Sequence, residues 1–348
     1  MKNLWILALM LVGFFSCKED DTTDVVDTFD KEAMLSNVAN NVIIPSYKTW
    51  KDDATALLEA SENFSVDRSE GNLSALRSAF LEAYKSWNIC SIYEFGPAAE
   101  RNLRLAINTF PVDTAQINAN ISAGSYDLNS AQNSDANGYP AIDYLLYNDV
   151  AVLLNDPKQA NYIQSNIQLI YDRASELNES WSSYNNEFAS NTSSSAGSSI
   201  SNLINELNYE FELLKNARIG IPMGKKSLGV TQIEKLEGFY SGYSTELAIE
   251  NVKGIKHAFT GGEGTGLDDY LDDINAQKDG VLLSVSILRL FNEIEDDLEP
   301  FNLKTTIQEN PSELDPVYNK IEQLVVLLKT DMTSQLGVQI TYQDNDGD

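Results

Sequence analysis

Histidine and cysteine are nearly missing from this 348-residue chain, which has one of the first and two of the second. A zinc-protease helix of the His-Glu-x-x-His kind needs two histidines, so that chemistry is excluded outright. A Ser-His-Asp triad would have to use His257, which has no acidic or cysteine neighbour at a catalytic spacing. If Cys17 carries a lipid, Cys90 stands alone and no internal disulfide can form. Cys90 lies in an aromatic-rich helical run and reads as a small buried apolar residue. Positive charge is scarce as well: 24 Lys and Arg against 52 Asp and Glu, a formal net of −28. Phosphate recognition needs a basic footprint, and none is visible, so no nucleic acid is expected as a partner. Such charge suits an extracytoplasmic body that repels its neighbours and concentrates cations near its surface.

The beginning of the chain addresses it to a membrane. Met1-Lys2-Asn3 is a short basic region, and Leu4 to Phe15 is a twelve-residue apolar run. That run is too short to span a bilayer and has the length of a secretory signal. It ends in Phe14-Phe15-Ser16-Cys17, which resembles a bacterial lipobox. Residues 1–16 therefore read as a lipoprotein signal peptide, with Cys17 as the lipidated (palmitate-type) first residue of the mature chain. Lys18-Glu19-Asp20-Asp21 follows directly and resembles the lysine-plus-acidic tag that sends Bacteroidetes lipoproteins to the outer face of the outer membrane. Residues 17–29 read as an acidic tether and residues 341–348 as an acidic tail. The expected location is the outer membrane, on the cell surface, with the periplasmic face as the alternative.

Between tether and tail the apolar residues recur with the helical period. One helix is expected over Asp30 to Phe64, with Pro45 as a kink or break. Leu73, Leu76, Phe80, Tyr84 and Trp87 mark the next, which stops at Gly96-Pro97. A shorter helix follows around Ala98 to Ala106, then a long Asn- and Ser-rich connection from Thr109 to Gly138; loops of that length are often functional. Ile163 to Trp181 and Leu203 to Leu214 carry two further stripes, separated by a polar turn at 185–199. Ile219 to Gly229 is a Gly-rich crossing. Leu283 to Leu298 and Val317 to Met332 share one spacing, as two antiparallel helices of a bundle would. No strong β-alternation is present. The fold class is all-α, with two helical bundles, 30–190 and 191–340, meeting near the middle of the chain.

Lys235 to Gly262 stands out within this pattern. Read as a helix, it places Glu237, Tyr240, Ser241, Ser244, Ala248 and Asn251 in one column of carboxylate, hydroxyl, small and amide groups. Leu236, Phe239, Tyr243 and Leu247 form the apolar stripe beside it. The small polar column lets another backbone come close while offering hydrogen bonds. It reads either as a central helix satisfied by neighbouring backbone or as one wall of a polar ligand site.

The order NVIIPSY (41–47), W…YEFGP (87–97), GYPAIDYLLY (138–147) and EGFYSGYSTELAIENVKGI (237–255) resembles the imelysin family, also called insulin-cleaving membrane protease or iron-regulated protein A-like. The resemblance covers roughly residues 30–333. It implies two similar four-helix bundles with a functional site between them and a role in iron or haem acquisition. The family's hallmark is Gly-x-His-x-x-Glu at the start of a helix. Here Gly138 is kept, the histidine position is Pro140 and the glutamate position is Asp143. Proline offers no lone pair, so a histidine-dependent peptidase or histidine-ligated metal is not expected. The resemblance brings Glu94, Asp143 and Glu237 towards one crevice, with Tyr93, Tyr240, Ser241, Ser244 and Asn251 as further polar groups. An all-oxygen set of this kind suits a hard cation such as ferric iron or calcium. The expectation is a non-enzymatic binding component of iron or haem uptake, bound to the membrane by its lipid and working with an outer-membrane receptor or carrier. The alternatives are a metallopeptidase and a structural or protein-interaction lipoprotein whose site has decayed.

Overall fold

Each helix of the protein lays an apolar stripe against its neighbours, and the stripes set the order of packing. The structure is a computed structural model that describes residues 29–342. The signal peptide, Cys17, the tether up to residue 28 and residues 343–348 of the tail lie outside the described residues. Helix α1 (Lys31–Asn37) opens on an Asp30 cap and runs through a π-turn (Val38–Ile43) into α2 (Ile44–Val66). Pro45 lies inside this continuous helical run, just after the π-turn, and does not break it. Proline and π-turn go together here, since each interrupts the regular i→i−4 ladder. Helix α3 (Glu70–Cys90) is capped by Ser69. The chain then turns through Ser91–Tyr93 and Ala99–Arg101 into the short α4 (Leu103–Ile107).

The expected long connection 109–138 is not structureless. It contains α5 (Thr114–Ala123), capped by Asp113, which accepts from the Ala115 and Gln116 amides, and closed by Gly124 at φ +71°. Its apolar content is small, and only Ile117 and Ile121 anchor it, which is why periodicity missed it. Next come α6 (Gly138–Tyr147), α7 (Val150–Asn155) and the 34-residue α8 (Pro157–Ser190). Helix α9 (Ser199–Leu213) continues into a second π-turn (Leu214–Gly220). After a loop come α10 (Ser244–Thr260) and α11 (Leu267–Asp273). A hairpin of two two-residue strands, β1 (Gln277–Lys278) and β2 (Val281–Leu282), turns at Asp279-Gly280. It was not expected, because so short a ladder leaves no alternating pattern. Helices α12 (Leu283–Leu298), α13 (Leu303–Glu309), α14 (Asp315–Val326) and, past a third π-turn, α15 (Thr333–Leu336) complete the chain.

Helix α2 packs against both α3 and α8, and α6 lies on α8. Further along, α10 packs on α9 and α12, and α12 on α14. The contact between α3 and α10 joins these two groups of helices. At its centre Gly254 of α10 meets the Ile89 backbone so closely that a Cβ would collide with the Ile89 carbonyl. The core buries Trp50, Trp87 and Trp181 completely, with Leu, Ile and Phe around them. Each such aliphatic or Phe side chain contributes roughly 1.5–3 kcal/mol. The fold is all-α, as its patterning requires.

Candidate functional site

Beside the Gly254 crossing lies a polar seam, built by α3 and the turn after it, α4, α9, the π-turn that follows, and α10. Its centre is Glu210, completely buried on α9. One Glu210 oxygen meets Ser91 Oγ at 3.0 Å, Asn251 Nδ2 at 2.7 Å and Arg218 Nη2 at 3.0 Å. The other accepts from Arg104 Nε at 2.7 Å. Arg104 also reaches Glu94 at 2.7 Å and Glu206 at 3.0 Å, and donates to the Ser91 carbonyl. Arg218, from the π-turn, donates through Nε to Glu237 at 2.6 Å. The second Glu237 oxygen accepts from Asn108 at 2.8 Å and Asn88 at 3.2 Å. Tyr84 closes the chain by donating to Asn108 at 2.8 Å.

Charge decides how these groups behave. Burial penalises an ionised Glu210, but Arg104 and Arg218 outweigh it and hold its carboxyl down to about 2. At the open edge the balance reverses. Burial pushes Glu206 up to about 7, because Arg104 is shared with Glu94 and Glu210. Burial raises Glu94 for the same reason. The seam holds four carboxylates, Glu94, Glu206, Glu210 and Glu237, against two guanidiniums.

Asp143 makes a second, adjacent device. Its carboxylate accepts the Tyr240 amide at 2.9 Å and the Ser241 amide at 3.0 Å, so it clamps the loop between Glu237 and α10. Burial pushes its carboxyl up to about 6 despite those hydrogen bonds and the charge of Lys304. Ser244 ties the clamp to the seam by donating to the Glu237 carbonyl at 2.6 Å. Gly138, which starts α6, is held at φ +67° against the Ile107 backbone, where any Cβ would collide. Its amide donates to Asn166 at 2.8 Å. The motif glycine is thus a close-approach residue, and Pro140 is buried in the first turn of the same helix.

Of the residues expected at the site, Glu94, Glu237 and Asn251 join one network, while Asp143, Tyr240 and Ser241 form the clamp beside it. Two expectations need correction. Residues 237–243 are not helical: Gly238 at φ +65° and Gly242 at φ +80° turn the chain, and α10 starts only at Ser244. The column from Glu237 to Asn251 is therefore a loop followed by a helix face, and Leu236, Phe239 and Tyr243 do not share a helical stripe with Leu247. Nor do Glu94, Asp143 and Glu237 gather as one ligand set. Arg104 holds the first, backbone amides the second and Arg218 the third, and no cluster of three metal-ligating side chains occurs among the described residues. The Tyr93 hydroxyl is buried without a hydrogen-bond partner and does not enter the seam network. Burial raises the Cys90 thiol well above its usual range, as expected for a packing residue. His257 lines a separate cleft of about 440 Å³ with Asn41, Ser46, Ser86 and Glu263.

Sequence reading missed Arg104, Glu206, Glu210 and Arg218. A signal did exist: Glu210 stands three residues after Leu207 and four before Leu214, and Arg218 four after it, so charges sit on a packing stripe.

Known proteins share this fold. The imelysin family model matches residues 43–328. A curated relative, iron-regulated protein A of Synechococcus elongatus, is 26% identical over 122 residues, which is 35% of this chain and 33% of that protein. The chain thus spans about a third of that relative's length. An imelysin-like protein from Psychrobacter arcticum superposes with a TM-score of 0.76 at 18% identity, covering 90% of this chain and 97% of the other. A protein from Parabacteroides distasonis, described as an iron-regulated protein A precursor, gives 0.75 at 15% identity, covering 88% and 95%. The structural matches show the shared fold, and the family model spans the whole site from α2 to the third π-turn: the chain belongs to the imelysin family.

Proposed function

We propose that this protein is a non-enzymatic binding component of iron or haem acquisition, anchored to the outer membrane through Cys17 and recognising its ligand or partner along the seam. The observation that carries the reading is the uneven charge of that seam, four carboxylates against two guanidiniums, with Glu94 and Glu206 at its partly exposed edge. Two negative charges remain to be met by protons or by a cationic group brought from outside. A bare metal finds no preformed cage, so the reading favours a metal complex or a basic patch on a partner. The names of two relatives, both iron-regulated protein A, point to the same biology. Hydrolysis is not supported by the donor set: Pro140 stands at the motif histidine, and Ser91 is occupied by Glu210.

Titration with haem and with ferric citrate, followed by absorbance and calorimetry, tests the reading. Binding that weakens about tenfold in a Glu94→Gln, Glu206→Gln double variant is the expected result, the size of a lost charged contact. Equal binding by both proteins, or none by either, would remove the seam from ligand recognition. Cleavage of unfolded protein in the presence of zinc would remove the non-enzymatic reading.

A further inference from the structure

A second polar feature lies at the C-terminal end of α10, the opposite end from the Asp143 clamp. There α2 with the π-turn before it, α3 and α10 leave the cleft of about 440 Å³, lined by Asn41, Ser46, Thr49, Ile89, His257 and Glu263 among others. Its rim is the loop that follows α10, Gly261 to Gly266, which is built around Asn37. The Asn37 Nδ2 donates to the Gly261 carbonyl at 2.8 Å and to the Thr265 carbonyl at 2.9 Å. A Cβ on Gly264 would collide with that same amide group. Only one side chain of this fixed loop is charged, Glu263, and it lines the cleft.

The wall is rich in acceptors. Ser46 donates its hydroxyl hydrogen to the Val42 carbonyl at 2.7 Å, and Asn41 donates to Asn37 at 2.9 Å, which leaves the oxygens of both side chains to accept. The exposed Glu263 carboxylate and the Thr49 hydroxyl have no hydrogen bond or ion pair among the described residues. Partial burial, helped by the charge of Lys256, lowers the pKa of His257, so at neutral pH its ring is uncharged and one nitrogen accepts. No lysine or arginine is among the lining residues, and Lys256 is held by Glu295 of α12 at 2.6 Å. The C-terminus of α10, at Thr260, adds partial negative charge at the same place. Val42, Pro45 and Ile89 give the cleft its apolar surface.

We propose that this cleft binds a small organic amine as its ammonium ion, with the charged head at Glu263 and the alkyl stem along Val42, Pro45 and Ile89. An ammonium group carries donors and no acceptor, the complement of such a wall. An anion would meet like charge from Glu263 and from the helix end. The volume is that of a small-ligand site. The cleft and the seam share no residue, so either reading can fail without the other.

The chain's single histidine reports on the cleft directly, because its imidazole signals are unique in a proton NMR spectrum of protein prepared without a histidine tag. Titration at neutral pH with hexylamine should shift those signals and saturate at millimolar concentration. Hexanol, which lacks the charge, and hexyltrimethylammonium, which keeps the charge but has no N–H, should bind about fivefold more weakly or less tightly still. Glu263→Gln should weaken hexylamine by about fivefold, the size of an exposed charge pair, with an unchanged melting temperature. Glu246→Gln, which removes an exposed charge at the other end of α10, should leave the affinity as it is. No shift with hexylamine, equal binding of hexyltrimethylammonium, or unaltered affinity in Glu263→Gln would overturn the proposal. Equal weakening by Glu246→Gln would do the same, since it would reduce the effect to attraction by the net charge of −28.

Discussion

At the seam, Glu210 and Glu237 are 0% and 2% exposed, and both oxygens of each carboxylate are met by arginine or amide donors. At the cavity lined by Arg101, Asn137 and Arg173, the two arginine side chains keep 22% and 27% of their surface exposed and share Glu176, itself 40% exposed. The first arrangement resists change, because removing any one partner strands a buried charge. The second is softer, because solvent screens its charges and can replace a lost partner. Burial, more than the mere presence of charge, separates what holds this molecule together, the Glu210–Glu237 centre of the seam, from charges that water or a partner can still reach, such as Glu94 and Glu206 at its edge.

The sharpest test of that contrast is Arg218→Met. It leaves Glu210 and Glu237 with an uncompensated buried charge and should cost about 3–5 kcal/mol in denaturant unfolding. A loss below about 1 kcal/mol would mean that the seam is held by its amides and not by charge. Gly138→Ala follows, at roughly 3 kcal/mol, since a Cβ at this positive φ must also push the Ile107 backbone aside. A smaller effect, about 2 kcal/mol, is expected for Asp143→Asn, which turns one acceptor of the loop clamp into a donor. Hydrogen exchange should then lose protection at the Tyr240 and Ser241 amides, while amides at the Arg101–Asn137 cavity stay protected.

The smallest effect concerns pH. Glu206 is pushed up to about 7 and Asp143 to about 6, above their unfolded values. The folded state binds these protons more tightly, so their contribution is fully present below about pH 4 and is lost as pH rises through 6 to 7. Glu210, held down to about 2, acts in the opposite sense and only on the acid side, losing its contribution as pH falls below about 4. Thermal melts of Glu206→Gln should therefore show a shallower fall between pH 5 and 8 than the parent, with a gain of roughly 2 °C at pH 8. A parallel pair of curves would show that Arg104 already neutralises Glu206 in full.

Much of the helical framework was legible because each long helix buries one stripe. Ile163 to Trp181 on α8 and Leu283 to Leu298 on α12 repeat at three and four residues and are buried where the pattern places them. The weakly apolar α5 and the two-residue strands were not legible, since neither carries enough period to stand out. The start of α10 was misplaced because Gly238 and Gly242 each supply a positive φ, which a hydrophobic pattern does not register.

For the site, the sequence by itself singled out Gly138, Asp143, Glu237 and Asn251 as candidates, and placed a proline where the motif has its histidine. It also determined the all-helical class, since periodic burial is a local property of consecutive residues. Only the tertiary structure decided that Asp143 clamps the 240–241 amides and that Glu94 and Glu237 answer to Arg104 and Arg218. Asp143 and Ser241 are 98 positions apart, and Arg104 and Glu210, which complete the seam, 106. Their strength depends on burial and on which charges share a neighbour, and neither quantity exists until the helices have packed.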